Sequence, residues 1–165
     1  MSREPTQERL AELFWDAGGD LKRKLAISQH ASGVSAGFLH KKLNRHVVKV
    51  DGRGHLRSRL IWILANGSIP EGFEVDHVDR DTTNDRISNL RLATRQQNMM
   101  NRSVAVNNKS GVPGVYWNKT RNKWIADIKL NGKHRYLGSF ANFDDACNAR
   151  WAAEKKHFGE FRPQT

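Results

Sequence analysis

Cysteine is almost absent from this chain: Cys147 is the only one in 165 residues. An intramolecular disulfide and a cysteine-based zinc site are thereby both excluded. Long apolar runs are absent as well. The longest is residues 60–65, LIWILA, far short of the roughly 20 residues a membrane-spanning helix needs, so no membrane association is expected. The opening MSREPTQERL has no apolar segment of the export type. A lone thiol also suits a reducing compartment, and the expectation is a cytoplasmic protein that is not secreted. Acidic residues are few, 17 Asp and Glu against 28 Lys and Arg, which leaves a net charge of +11 and a pI near 10.2. Hydrophobic content of 38% and mean hydropathy of −0.72 fit a soluble chain with small cores. A basic chain with Trp, Tyr and Phe interleaved among its cations points to nucleic acid more readily than to solubility alone.

What is present concentrates between Phe73 and Ser103. Asp76 and His77 close a short alternating run that contains Phe73 and Val75. A polar loop follows, with Arg80, Asp81, Asn84 and Asp85, then Asn89 and a second short run, Leu90 to Ala93. Thr94 and Gln97 have the form of a capping box, placing Asn98 in the first turns of a helix. The order reads strand, loop, strand, helix. Asp76 and the Asn98 amide oxygen are hard oxygen donors, suited to Mg²⁺ (or Mn²⁺) rather than zinc. His77 can accept a proton from water near neutral pH. Asn89 can lock the loop around His77, and Arg91 and Arg95 flank the site as candidates to hold a phosphate. Taken singly, each has an ordinary structural use: an Asp-His turn, an Asn cap, Asn-rich loop chemistry. Together and in this frame they suit one-metal phosphodiester hydrolysis.

At these residues the chain resembles the HNH endonucleases of the phage and homing type. The resemblance implies a ββα-metal (His-Me finger) fold, with Asp76 and Asn98 as metal ligands, His77 as general base and Asn89 as the middle Asn. Two positions depart from the family pattern: Asn84-Asp85 stands where Asp-Asn is frequent, and Ser58 stands where His is common.

Upstream, residues 6–15 read as a short amphipathic helix, Leu21 to Leu25 as a basic strand and Ser28 to Ser35 as loop. His30, His40, His46 and His55 lack ligand spacing, and most of them read as surface or DNA-facing. Residues 47–57 read as a hairpin turning at Asp51-Gly52, and Arg59 to Asn66 as a helix stopped by Gly67. The boundaries expected are 1–45 for an N-terminal helix and basic extension, 46–103 for the nuclease domain, 104–110 for a linker and 111–162 for a second domain.

That second domain reads as three strands and a helix: Val115 to Asn118, Lys123 to Leu130, Lys133 to Phe140, then Asn142 capping a helix to about Lys156. Asn131-Gly132 marks the second hairpin. Alternation sends Trp124, Ala126, Ile128 and Leu130 toward the helix, and Lys123, Ile125, Asp127 and Lys129 to the other face. Ala146, Ala149 and Ala153 form a stripe that lets the helix lie close. The segment resembles the AP2/ERF DNA-binding domain in its W-x-A-x-I strand, YLG-x-F, Ala-rich helix and closing Gly. The resemblance implies DNA contacts at Tyr116, Asn118, Asp127, Lys129, His134 and Tyr136, with Lys123 on the same face. Pro113 and Tyr116 stand where plant members carry arginine, so no target sequence transfers.

The expectation is therefore an α+β protein: a ββα-metal nuclease domain followed by a three-stranded antiparallel sheet on one helix. It would be a metal-dependent, site-directed endonuclease on double-stranded DNA, monomeric or weakly dimeric, without a protein partner. Its place would be the cytoplasm of a bacterial or phage-infected cell. The competing readings are a catalytically inactive DNA-binding regulator and an RNA-binding basic protein, and the lack of an RNA-stacking motif weighs against the latter.

Overall fold

The computed structural model describes residues 4–24, 32–101 and 108–162. It is a mixed α+β structure with small antiparallel sheets, divided into two units, Met1–Arg95 and Gln96–Thr165.

The first unit opens with helix α1, Gln7–Leu13, whose N-cap Thr6 accepts from the Arg9 amide. The helix stops two residues before the expected Trp15. Phe14–Asp16 forms strand β1 instead, paired antiparallel with β2, Leu21–Arg23. Aromatic residues favour a pleated surface, and the extended path drives Phe14 into the core. The strand expected over 21–25 ends at Arg23, while His30 and half of the expected Ser28 to Ser35 loop lie outside the described residues.

Three strands follow in a meander: β3 (Phe38–His40), β4 (Arg45–Val50) and β5 (Arg53–Leu56). The β4–β5 turn carries Asp51 and Gly52 at φ 47° and 79°, the left-handed pair a two-residue hairpin requires. Strand β3 was not expected, because the turn before β4 has neither Gly nor Pro to mark it. Helix α2 spans Arg57–Asn66, starting two residues ahead of expectation and ending at Gly67, φ 85°. Leu60, Ile61 and Ile63 of α2 meet Val48 and Val50 of β4, with Leu10, Phe14, Leu21, Val75 and Leu90 completing the core. Full burial of each such side chain contributes about 1.5–3 kcal/mol over exposure. His55 is buried and His46 half-buried, where most of the histidines were expected at the surface or facing DNA. Both take the inner register of the sheet, alongside buried Val48 and Val50.

Strand β6 (Phe73–His77) then pairs antiparallel with β7 (Leu90–Thr94), and a 3-10 turn, Ile87–Asn89, leads into β7. Asp76 faces Arg91 in this register, and His77 faces Leu90. Helix α3, Arg95–Met100, follows directly.

In the second unit β8 (Val115–Asn118), β9 (Lys123–Leu130) and β10 (Lys133–Phe140) form an antiparallel sheet with β9 in the middle. Helix α4, Phe143–Phe158, is capped by the Asn142 side chain, which accepts from the Asp145 amide at 2.9 Å. Val115 and Ala126 pack on Ala146 and Cys147 of α4, and Ala149 and Ala153 are half-buried. Buried Arg150 ties helix to sheet: its Nη1 donates to the Asp127 carbonyl at 2.6 Å, and its Nε to Glu154 at 2.8 Å. Ile125, expected on the open face, is only 3% exposed. It lies mid-sheet between Tyr116 and Ser139 in register, so both neighbouring strands close over it. No helix among the described residues is long and apolar enough to cross a membrane.

Candidate active site

His77 ends β6 and is 2% exposed. Its Nε2 lies 2.9 Å from Oδ1 of Asp85, which is equally buried. A carboxylate only accepts, so Nε2 carries the proton and Nδ1 of the neutral ring holds the lone pair. That tautomer fits the ring to act as a base.

Asp85 is itself held. Arg57 Nε donates to Asp85 Oδ2 at 2.8 Å, Arg57 Nη1 to Asp20 Oδ1 at 3.1 Å, and Arg57 Nη2 to His46 Nδ1 at 2.9 Å. Arg57 is the first residue of α2, whose first turn has no acidic residue. A cation there opposes the helix dipole, and the two carboxylates offset that opposition. Burial and the Arg57 charge hold His46 below the usual histidine range, although Asp85 and Asp20 pull it upward. For Asp20, burial pushes upward, but hydrogen bonds from Ser35 and Lys22 and the charges of Lys22 and Arg57 bring it below its usual value.

Asn89 locks the loop between β6 and β7. Its Oδ1 accepts from the Asp79 amide at 3.0 Å, and its Nδ2 donates to Asp79 Oδ1 at 2.9 Å and to the Asn84 carbonyl at 2.8 Å. Asp79 also accepts from Asn84 Nδ2 at 2.6 Å and the Asp81 amide at 2.8 Å. Burial alone would raise the Asp79 carboxyl, but these donors bring it below its usual value.

Asp76 is buried beside Arg91, with Nε and Nη2 of the guanidinium at 3.0 and 2.9 Å from Oδ2. Arg91 was expected to hold a phosphate; here its guanidinium is drawn to Asp76. Arg95 begins α3 and is exposed. Asn98 lies three residues further along that helix, past the division between the units. Among the described residues no group of three or more His, Cys, Asp or Glu could hold a metal ion. In the first unit Asp76 offers a hard carboxylate oxygen, the donor type of a cation that keeps most of its water and takes further oxygens from a phosphate.

Cross-strand register puts the expected sheet residues on one face: Asn118 opposite Lys123, Asp127 opposite Tyr136, Lys129 opposite His134, and Tyr116 opposite Ile125. Tyr116 and Tyr136 are 47% and 59% exposed. Asn118 is engaged in the β8–β9 turn, accepting from the Arg121 amide at 2.9 Å, and His134 Nδ1 lies 3.4 Å from Asp127 Oδ1.

Sequence reasoning missed Asp85, Arg57, Asp20 and His46. One signal was available: an arginine opening a helix that lacks any acid in its first turn.

Residues 55–100 match a family model described as HNH endonuclease. The chain is 40% identical over 79 residues to Protein 3.8 of Escherichia phage T7, covering 48% of this chain and 65% of that protein. It is 32% identical over 110 residues to a protein of Acanthamoeba polyphaga mimivirus named as an uncharacterized HNH endonuclease, covering 67% of this chain and 56% of that protein. The chain thus spans less than two thirds of the length of these curated relatives. No solved structure matches it significantly. His77, Asp85, Asn89 and Arg57 all lie in the matched span, and the match and the mimivirus relative support a nuclease.

Proposed function

We propose that the chain is a metal-dependent, site-directed DNA endonuclease of the homing type, acting in the cytoplasm of a bacterial or phage-infected cell. The observation that carries the reading is the His77–Asp85 contact at the end of β6, inside the span that matches the HNH endonuclease model. His77 Nδ1 takes the proton of the attacking water. Asp85 keeps the ring in the accepting tautomer, and Asn89 keeps the loop that carries both in one shape. Asp76 and Asn98 would hold Mg²⁺ or Mn²⁺, which when bound supplies charge stabilisation at the phosphate and at the leaving oxygen. The β8–β9–β10 face, read as AP2-like, binds duplex DNA through its cations and its two exposed tyrosines. The protein works as a monomer or weak dimer, and as a monomer its single site would nick one strand at a time.

One observation favours a second reading. Arg91 engages Asp76, and His77 is buried; a chain keeping these groups only as structure would be a DNA-binding regulator that does not cut. Cleavage of supercoiled plasmid by wild type and His77→Ala, with Mg²⁺ and with EDTA, separates the two. A nuclease gives metal-dependent nicking that His77→Ala slows by about 10²–10⁴-fold, the usual worth of a general base. Binding without cutting in Mg²⁺ and Mn²⁺ alike assigns the regulator.

A further inference from the structure

The first unit has a second three-stranded sheet face to which the nuclease reading gives no work. From residue 38 to 50 the sequence is FLHKKLNRHVVKV, with Lys41, Lys42, Arg45 and Lys49 and no acid. Among the described residues none of these four cations has an acidic partner. Arg9, Lys22, Arg57, Arg59 and Arg91 in the same unit do, while Arg23, Lys24, Arg53 and Arg86 do not, so it is their clustering on one hairpin that sets the four apart. Register explains their arrangement. His46, Val48 and Val50 take the inner side, so Arg45 and Lys49 share the outer one, together with Phe38, which faces Val47. Phe38 and Leu43 are each 53% exposed. A solvated sheet face would carry both signs of charge and would cover large apolar groups; this one does neither.

The tip of the hairpin is fixed to the catalytic loop. Thr82 Oγ1 donates to the Asn44 carbonyl at 2.7 Å, and Asn44 Nδ2 lies 3.4 Å from the same hydroxyl. Thr82 sits in the loop that Asn89 locks, between Asp79 and Asp85. Through His46, the same strand also reaches Arg57 and hence Asp85. A surface tied in this way moves with the site.

We infer that the β3–β4 hairpin is a duplex-DNA contact belonging to the catalytic unit itself. Lys41 and Lys42 meet the phosphate backbone beside the cut, Arg45 and Lys49 extend that track, and Leu43 and Phe38 lie against sugar and groove edge. The inference rests on the nuclease reading for where the DNA lies, and its test does not depend on cutting.

The test measures binding of a duplex oligonucleotide in EDTA across a salt series, for wild type, Lys41→Gln/Lys42→Gln, and the control Lys155→Gln/Lys156→Gln on α4. Plasmid cleavage in Mg²⁺ is scored in parallel. All four lysines are exposed, so both variants keep the fold. Each phosphate contact contributes about 0.9 to the slope of log affinity on log salt. The hairpin variant is expected to flatten that slope by about 2 and the control to leave it in place. Leu43→Ser is expected to weaken binding at an unchanged slope. Equal slopes for wild type and both doubles, with cleavage intact, overturn the hairpin contact and leave the nuclease standing. A flattened slope in the hairpin variant, beside a wild type that binds but never cuts, keeps the contact and removes the nuclease. A wild type that binds no duplex DNA, or prefers duplex RNA in competition, overturns the contact.

Discussion

The two units share a local plan and differ in what the covered side of each sheet holds. β3–β4–β5 is a three-stranded antiparallel meander followed by α2; β8–β9–β10 is another, followed by α4. Each starts one residue after a glycine at positive φ, Gly37 at 92° and Gly114 at 70°. At either, a Cβ would collide with a carbonyl oxygen of the middle strand, that of Val47 or Asp127. Behind the second sheet the contact is apolar, apart from the Arg150–Glu154 pair that fastens α4 to the Asp127 carbonyl. Behind the first, the inner register carries His46 and His55, and Arg57 at the start of α2 leads from His46 to Asp85 and His77. One buried ion pair fastens a helix. The other holds a carboxylate against an imidazole in a fixed orientation, and orientation is what proton transfer requires.

The sharpest way to break this comparison is to remove one carboxylate from each unit. Asp85→Asn keeps the shape but gives the ring a partner that can donate as well as accept, so the Nε2–H tautomer is no longer enforced. Replacing by an amide the carboxylate that fixes a base histidine's tautomer can cost up to about 10⁴-fold. We expect a fall of that order in the cleavage rate at saturating DNA, and nitrogen NMR of His77 reporting mixed tautomers. Glu154→Gln in the second unit should leave that rate alone and lower stability instead. Removing one member of a buried pair costs about 3 kcal/mol, read as a lower urea midpoint. If both variants slow cleavage equally, or neither does, Asp85 is only a fastener like Glu154.

The same contrast explains what could be read in advance. The second sheet follows from local rules. Asn131-Gly132 sets one hairpin, alternation sets the faces, and the observed strands Lys123–Leu130 and Lys133–Phe140 begin and end where the pattern does. The stretch holding Asp76, His77 and Asn89, inside residues 55–100 of the HNH match, was legible because spacing along one short stretch is itself the signal. Arg57 and Asp85 are 28 residues apart, and Arg57 and Asp20 are 37 apart; only tertiary packing brings them together, and no local period records that. Strand β3 escaped notice because its turn lacks Gly and Pro. Ile125 shows the limit of alternation, which assigns a face but says nothing about what the neighbouring strands cover.

A milder test acts on the two glycines. Gly37→Ala and Gly114→Ala each force a side chain into a left-handed conformation and against a carbonyl. The backbone term is about 1–2 kcal/mol, and the clash adds to it. The outcomes should separate by unit. Gly37→Ala displaces β3 from β4 and lowers cleavage together with stability. Gly114→Ala loosens β8 from β9, weakening DNA binding while the rate at saturating DNA holds. The reverse pattern would mean that catalysis depends on the second sheet and that the first is a passive support.

The smallest expected effect is a pH dependence confined to the first unit. His46 accepts from Arg57 Nη2 through Nδ1, which only the neutral ring can do. Burial and the neighbouring Arg57 charge keep its folded pKa below the ordinary value of 6.5. The unfolded chain therefore takes up the proton first as pH falls. The stabilisation is fully present above about pH 6.5 and is lost as pH drops through the lower folded value. Glutamine at this position presents an amide oxygen to Arg57 at any pH. We expect the urea midpoint of wild type to decline, relative to His46→Gln, as pH is lowered from 7 toward 5. Cleavage should decline over the same interval, as Arg57 loses one of the two side chains, Asp20 and His46, that aim it at Asp85. Parallel profiles for the two proteins would show that the Arg57–Asp85 contact holds without His46, leaving Asp20 as the support that matters.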